Sequence, residues 1–266
     1  MTIDEGKTRE RLRTLLRQTT ATRKHSAYQI LPTRLARYIG QHDAHMKPKY
    51  EAERLAYIAS NVDLNGKTAL DIGSNTGYFA FELLDSGCDK VTAFEGGEIH
   101  GEFLQLAAEA LDEEDRISVH HEYFDFHHAL IKHDIALLLN VVHHVGDDYG
   151  GFTDNMEHAK SLMLDQINSM VNYSDILIFQ MGFNWKGDVA RCLFQNGTKT
   201  EMIDFVSNGT KDKWKIEHVG IAERHPEGIR YAGINETNIC RDDSLGEFLN
   251  RPIFLMRAKQ ETQTCA

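Results

Sequence analysis

A pair of strand-ending acids, a glycine turn and two adjacent histidines are the groups in this chain whose types and spacing could do chemistry. Asp71 sits within a short apolar run (Ala69, Leu70, Ile72), just ahead of a turn carrying Gly73, Ser74, Asn75 and Gly77. An apolar run that meets glycines and then takes up helical spacing from Tyr78 to Leu84 predicts strand, turn and helix. Such a turn lets a ligand approach bare backbone at a helix N-terminus. Asp71 would there accept hydrogen bonds from an ammonium or a hydroxyl. The Gly-Lys-Ser/Thr ending of a phosphate loop is missing, and the glycine spacing is not the Gly-x-Gly-x-x-Gly of a dinucleotide site. A second strand-like run, Lys90 to Glu95, ends in another acid. His143 and His144 follow an almost unbroken apolar run from Asp134 to Val142, with Asp147 and Asp148 close behind. A neutral imidazole, with an ordinary pKa of about 6.5, suits removal of a proton from a hydroxyl nucleophile. His143 or His144 is the expected base, with Asp147 or Asp148 to orient it. Histidines on extended backbone point opposite ways, so a shared metal ion is not expected.

The elements that must position these groups begin with helices. Leu12, Leu15 and Leu16 share a side between Thr8 and Arg17. A second helix starts near Pro32, and a third runs from Lys49 to Val62 before the Asn65–Gly66 stop. Tyr28, His42, His45 and Tyr50 read as packing or surface residues, with a place facing a pocket as the alternative. From Gly66 strands and helices alternate, which implies an α/β fold with a doubly wound sheet and ligands at the carboxyl ends of its strands. Seven strands are expected, mostly parallel with the last antiparallel. They comprise the two above, Arg116 to Tyr123, Asp134 to Val142, Asp175 to Gln180, Trp214 to Val219 and Pro252 to Met256. Residues 1–62 read as a helical N-terminal cover and 63–260 as the α/β domain, with a substrate-side insert around 183–245. Two Asn-Gly-Thr-Lys echoes, at Asn196 and Asn208, read as helix stops followed by threonine starts.

The strand, the Asp-x-Gly-x-x-x-Gly turn and the second strand ending in Glu95 together resemble class I S-adenosylmethionine-dependent methyltransferases. The resemblance covers roughly residues 60 to 185 and implies a Rossmann-like fold with S-adenosyl-L-methionine as cofactor. It places Asp71, Gly73, Ser74, Asn75, Gly77 and Phe79 around the cofactor, and Glu95, with Gly96 beside it, at the ribose hydroxyls. Asp125 would meet the adenine amino group, with Glu122 as competitor, and Phe124 would pack on the ring. Asn140 would line the same pocket through its backbone. His144 matches the histidine that often follows the fourth strand in this family. The His143–His144 pair resembles methyltransferases that modify bacterial polysaccharide ends and, more loosely, wobble-uridine modifying enzymes. The activity implied is O-methylation of a sugar or sugar-phosphate in glycan synthesis. Methylation of tRNA or another nucleic acid, or a non-catalytic partner role, is the alternative.

Composition bounds these readings. The 266 residues, 41% hydrophobic, suffice for one well-buried α/β domain with an appendage, and no apolar run approaches a membrane span. The N-terminal stretch lacks the apolar core of a signal peptide, and the four cysteines, Cys88, Cys192, Cys240 and Cys265, are scattered. A cytoplasmic location is expected. Net charge is −11, yet the first fifty-odd residues hold about twelve of the 29 basic side chains. Arg9, Arg11, Arg13, Arg17, Arg23, Lys24, Arg34 and Arg37 form either a phosphate-contacting surface or a solvated face docked on an acidic core. No aromatic interleaving accompanies them, which disfavours nucleic acid as partner. Near the expected sheet edge, Trp185 and Asn184, together with Phe183 and Lys186, have the composition of a sugar grip or of a wall under a lid. Arg230, in the polar stretch His225 to Tyr231, could meet a phosphate or carboxylate acceptor, or mark an ordinary surface loop.

Overall fold

The computed structural model describes residues 4–21, 29–40, 49–127, 129, 131–147 and 153–260. Tyr28, His42, His45, Arg23, Lys24, Asp148 and Cys265 lie outside the described residues. The chain divides into two compact units, Met1–Phe124 and Asp125–Ala266.

The first unit opens with three helices, α1 (Glu5–Ala21), α2 (Thr33–Ile39) and α3 (Glu51–Asn61). It continues as β1 (Thr68–Ile72), α4 (Tyr78–Asp85), β2 (Lys90–Phe94), α5 (Glu98–Ala110) and β3 (Ile117–His120). Its strands lie in the order β3-β2-β1 and are all parallel, with Asp71 opposite Ala93 and Ile72 opposite Phe94. Ala69, Leu70, Val91 and Ala93 are buried, as strands covered on both faces require. Helix α1 packs on α5 and α2 through Leu12, Leu15 and Leu16, each worth roughly 1.5–3 kcal/mol of burial. Its charges face acids of the same unit: Arg11 meets Glu102 at 2.6 Å and Arg17 meets Glu10 at 2.9 Å, while Arg34 of α2 bridges Asp85 and Glu113. Arg11 and Arg34 therefore tie α1 and α2 to acids of the same unit, while Arg17 pairs along its own exposed helix face, and the third strand is shorter than its apolar alternation suggested.

The second unit runs β4 (His133–Leu139), α6 (Met156–Ser169), β5 (Ser174–Gln180), α7 (Lys199–Thr210), β6 (Trp214–His225), β7 (Gly228–Gly233), the short α8 (Gly246–Leu249) and β8 (Ile253–Ala258). Strand order is β4-β5-β8-β6-β7, with β4 and β5 parallel and the remainder antiparallel. The α/β class stands, but among the described residues the strands number eight rather than seven. The added one is β7, and the stretch read as a polar insert is a hairpin whose turn joins His225 to Gly228. Alternation of buried Ile229 and Tyr231 with exposed Arg230 makes it a strand.

A second correction concerns the echo at Asn208. Thr198 caps α7 in a capping box with Glu201, as the first echo implies, but the helix continues through Asn208 and Gly209. Packing overrides the glycine: a Cβ at Gly209 would stand 2.3 Å from Leu164, and the Gly209 carbonyl accepts a 2.9 Å hydrogen bond from Asn168 of α6. Glycine is there to let two helices touch. Among the described residues no helix is long and apolar enough to cross a membrane.

Candidate functional site

In the first unit the turn after β1 is assembled from backbone that ordinary residues resist. Gly73 has φ 75°, Asn75 φ 52° and Gly77 φ 84°. At Gly77 a Cβ would also stand 2.4 Å from Leu104 of α5, so glycine is required for conformation and space alike. The N–H groups of Gly73 and Ser74 both donate to the Phe94 carbonyl (2.9 and 3.1 Å), and Ser74 Oγ donates to the Asp71 carbonyl at 2.9 Å. Glu95 is the latch between turn and second strand. One carboxylate oxygen accepts from Asn75 N–H at 2.7 Å and the other from Gly97 N–H at 2.7 Å.

Asp71 is 3% exposed, and its Oδ2 has no hydrogen-bond partner among the described residues. Burial, reinforced by the Glu95 charge and eased by Ser74 and Arg54, pushes its carboxyl up to about 7. A buried acceptor left unsatisfied at a turn of open backbone is poised for a ligand cation or donor. This fits the ammonium and hydroxyls of an adenosyl amino-acid cofactor. Arg54 and Tyr123 escaped the sequence reading. Arg54, 3.6 Å from Glu51 and equally buried, lies over the Phe79 ring at 5.0 Å. Phe79 is thus a core residue beneath an arginine. Tyr123, 44% exposed, lays its ring where a Cβ on Gly96 would be, 2.4 Å away. Phe124 is buried edge-on to Phe94 at 5.0 Å.

In the second unit Asp125 is exposed and accepts a 3.1 Å hydrogen bond from the His127 N–H. The histidines lie on a 3-10 turn, Val142–His144, and not on extended backbone, so their rings are neighbours with centroids 4.3 Å apart. His143 is 2% exposed, and its Nδ1 accepts from Gly182 N–H at 3.2 Å. Burial first, then His144 and Arg251, hold it well below the ordinary imidazole value. His144 is half-buried.

Trp185 is a correction. It is 1% exposed, and its indole N–H donates to the Val145 carbonyl at 2.9 Å; Lys186 and Arg191 lie over the ring at 4.8 and 5.2 Å. With Lys186 Nζ on the Gly146 carbonyl at 2.7 Å, it braces the histidine turn instead of offering a face to a sugar. Asn184, half-buried, caps the Trp185–Gly187 turn, which packs on the histidine turn. Arg230 is also displaced from the expected site. It is 67% exposed on β7, at the edge of the sheet, where its partner is Glu227 at 3.9 Å.

What the second unit brings to the histidines instead is a polar ring that sequence spacing concealed. Asn140, in the left-handed region at φ 63°, donates through its side chain to Gln180 Oε1 at 3.0 Å. Gln180 donates to the Arg251 carbonyl at 3.1 Å, and the Arg251 guanidinium returns to Asn140 Oδ1 at 2.7 Å. Glu247 receives the same guanidinium at 2.5–3.1 Å and the Phe183 N–H at 3.0 Å. The signal that could have found Arg251 is the antiparallel register. Phe179 opposite Phe254 carries forward to Gly182 opposite Arg251.

No family model matches this chain, and no curated relative matches it. Among solved structures, WbdD is similar at a TM-score of 0.58 and 14% identity, over 92% of this chain and 46% of that one. A second structure, of WbdD as a bifunctional kinase-methyltransferase, gives 0.57 at 15% identity over the same shares. This chain therefore spans about half the length of WbdD. The Pyrococcus horikoshii protein PH1948, provisionally named an RNA methyltransferase, gives 0.48 at 15% identity over 93% of this chain and 99% of that one. At such identities the WbdD likeness establishes a shared fold.

Proposed function

We propose that this protein is an S-adenosyl-L-methionine-dependent methyltransferase acting on a hydroxyl, with a sugar or sugar-phosphate as the acceptor class. The observation that carries the reading is Asp71 Oδ2, buried without a hydrogen-bond partner among the described residues, beside a glycine turn latched to Glu95. The WbdD-like fold supports it. Asp71 would hold the cofactor's ammonium, Glu95 its ribose hydroxyls and the Gly96–Tyr123 surface its ring, while the turn's backbone approaches closely. The bound cofactor supplies an activated methyl group, and the protein has to align the acceptor and take its proton. His144 is the residue we assign to that proton. His143 already spends Nδ1 on the Gly182 N–H. Of the residues expected to grip a sugar, Asn184 remains.

The nucleic-acid reading loses its main support, because Arg11, Arg17 and Arg34 pair with acids of their own unit. A purely structural partner role would leave an unsatisfied buried carboxylate without purpose.

Calorimetric titration with S-adenosylmethionine and S-adenosylhomocysteine tests the proposal, beside an Asp71→Ala/Glu95→Ala variant. Micromolar binding that the variant loses by at least about a hundredfold is expected, since a charged hydrogen bond contributes roughly 1.5–3 kcal/mol. Absence of binding by the wild-type protein would refute the assignment.

A further inference from the structure

His143 is described by one hydrogen bond, and that bond decides its chemistry. The Gly182 N–H can only donate, so Nδ1 must present a lone pair, and the single proton of a neutral imidazole then resides on Nε2. No other hydrogen bond of this ring is formed among the described residues. Two features keep the ring where that bond requires it. Only glycine at 182 lets the ring sit this close to the backbone: a Cβ there would stand 2.9 Å from Nε2 and Cδ2 of His143 and 3.2 Å from the Arg251 guanidinium carbon. Arg251 is in turn fixed by Asn140 and by Glu247, and Gln180 ties its carbonyl to the same circuit. A proton added at Nδ1 would break the Gly182 bond and set a cation beside a guanidinium. The groups facing the ring are His144, Arg251 and, behind the guanidinium, Glu247. The carboxylate is committed to Arg251 and to the Phe183 N–H.

We propose that Gly182 and the Asn140–Gln180–Arg251–Glu247 circuit lock His143 in the Nε2–H tautomer, a ring that accepts the Gly182 hydrogen bond at Nδ1 and takes up no second proton. Arg251 is a positioning residue here, acting through the histidine it abuts. Within the methyltransferase reading, the lock leaves the acceptor's proton to His144. The lock itself rests on geometry in the second unit and holds whether or not the cofactor assignment does.

The test is long-range proton–nitrogen NMR on the 15N-labelled full chain, with His143 assigned by the spectrum of His143→Gln. The expected wild-type result is an unprotonated Nδ1 and a protonated Nε2, both stationary from about pH 8 to about pH 5, while an unlocked imidazole would titrate near 6.5. A proton on Nδ1, or movement of both nitrogens in that range, would overturn the lock. Arg251→Gln should move the onset of His143 protonation to higher pH than in the wild type, and Arg251→Lys should restore most of the wild-type behaviour. If His143 stays stationary in Arg251→Gln, the guanidinium has no part in it. Because the spectra need no ligand, failed cofactor titrations and a failed lock are separate results.

Discussion

In the first unit a buried carboxylate keeps an oxygen without a partner among the described residues, whereas in the second unit Asn140, Gln180, Arg251 and Glu247 close on one another. Both regions hold polar groups away from water, which is costly unless they are paired. The circuit of the second meets that demand among its own four residues. The first leaves it open, in a turn of left-handed backbone with room only for hydrogen at Gly77. A satisfied network specifies a geometry, and an unsatisfied acceptor specifies a guest. On the proposed reading, the contrast would let one molecule combine a preformed histidine turn with an acidic turn that its ligand completes.

The largest pH-dependent effect is expected from Asp71→Asn. With the folded-state carboxyl at about 7 against an ordinary 3.8, the folded chain holds its proton longer than the unfolded chain. Stability is therefore unaffected below about pH 4, falls as pH rises to about 7, and carries the full penalty above that, at most roughly 4 kcal/mol. Urea unfolding at several pH values should show this slope in the wild type and its loss in Asp71→Asn. Above pH 7 the variant should be about 1–3 kcal/mol more stable, because its buried amide retains some desolvation penalty. A ligand-free wild type equally stable on both sides of that range would remove the contrast between the units.

Asn140→Ala attacks the closed circuit and should cost about 2–4 kcal/mol at every pH, combining lost hydrogen bonds with left-handed backbone that alanine resists. Thermal unfolding checks it, and a change under about 0.5 kcal/mol would mean that the circuit carries little. The smallest effect is expected from Arg11→Ala on the outer face of α1. Its Glu102 partner is half-exposed, so stability should change by less than about 1 kcal/mol and less still at high salt. Cofactor affinity should not change.

The same contrast explains what could be read from the sequence. Asp71, the glycines and Glu95 lie within one strand–turn–helix–strand passage, where chain neighbours are also spatial neighbours. Pattern and place coincide there. The ring around His143 joins residues 140, 180 and 251, brought together by the β4–β5–β8 register, which no local spacing encodes, while Glu247 is the i,i+4 neighbour of Arg251. Trp185 has the right type for a sugar contact, but burial is a property of what folds over it. The histidines were read on extended backbone because the apolar run before them is a strand, and the backbone turns one residue after that strand, at Asn140. In β7 a Pro-Glu-Gly turn between polar residues hid two buried positions in alternation.

Strand β8, the last of the described strands in sequence, lies between β5 and β6, both made before it. During synthesis the β6–β7 hairpin can close on itself, but its attachment to β5 must wait for residues 253–258. Until then β5 presents a bare, apolar edge of Ile176, Ile178 and Phe179, the kind of surface that chaperones bind and that pairs with other chains. Arg251 reaches His143 by the same late step. The acidic turn is thus made before the residues that build the histidine lock.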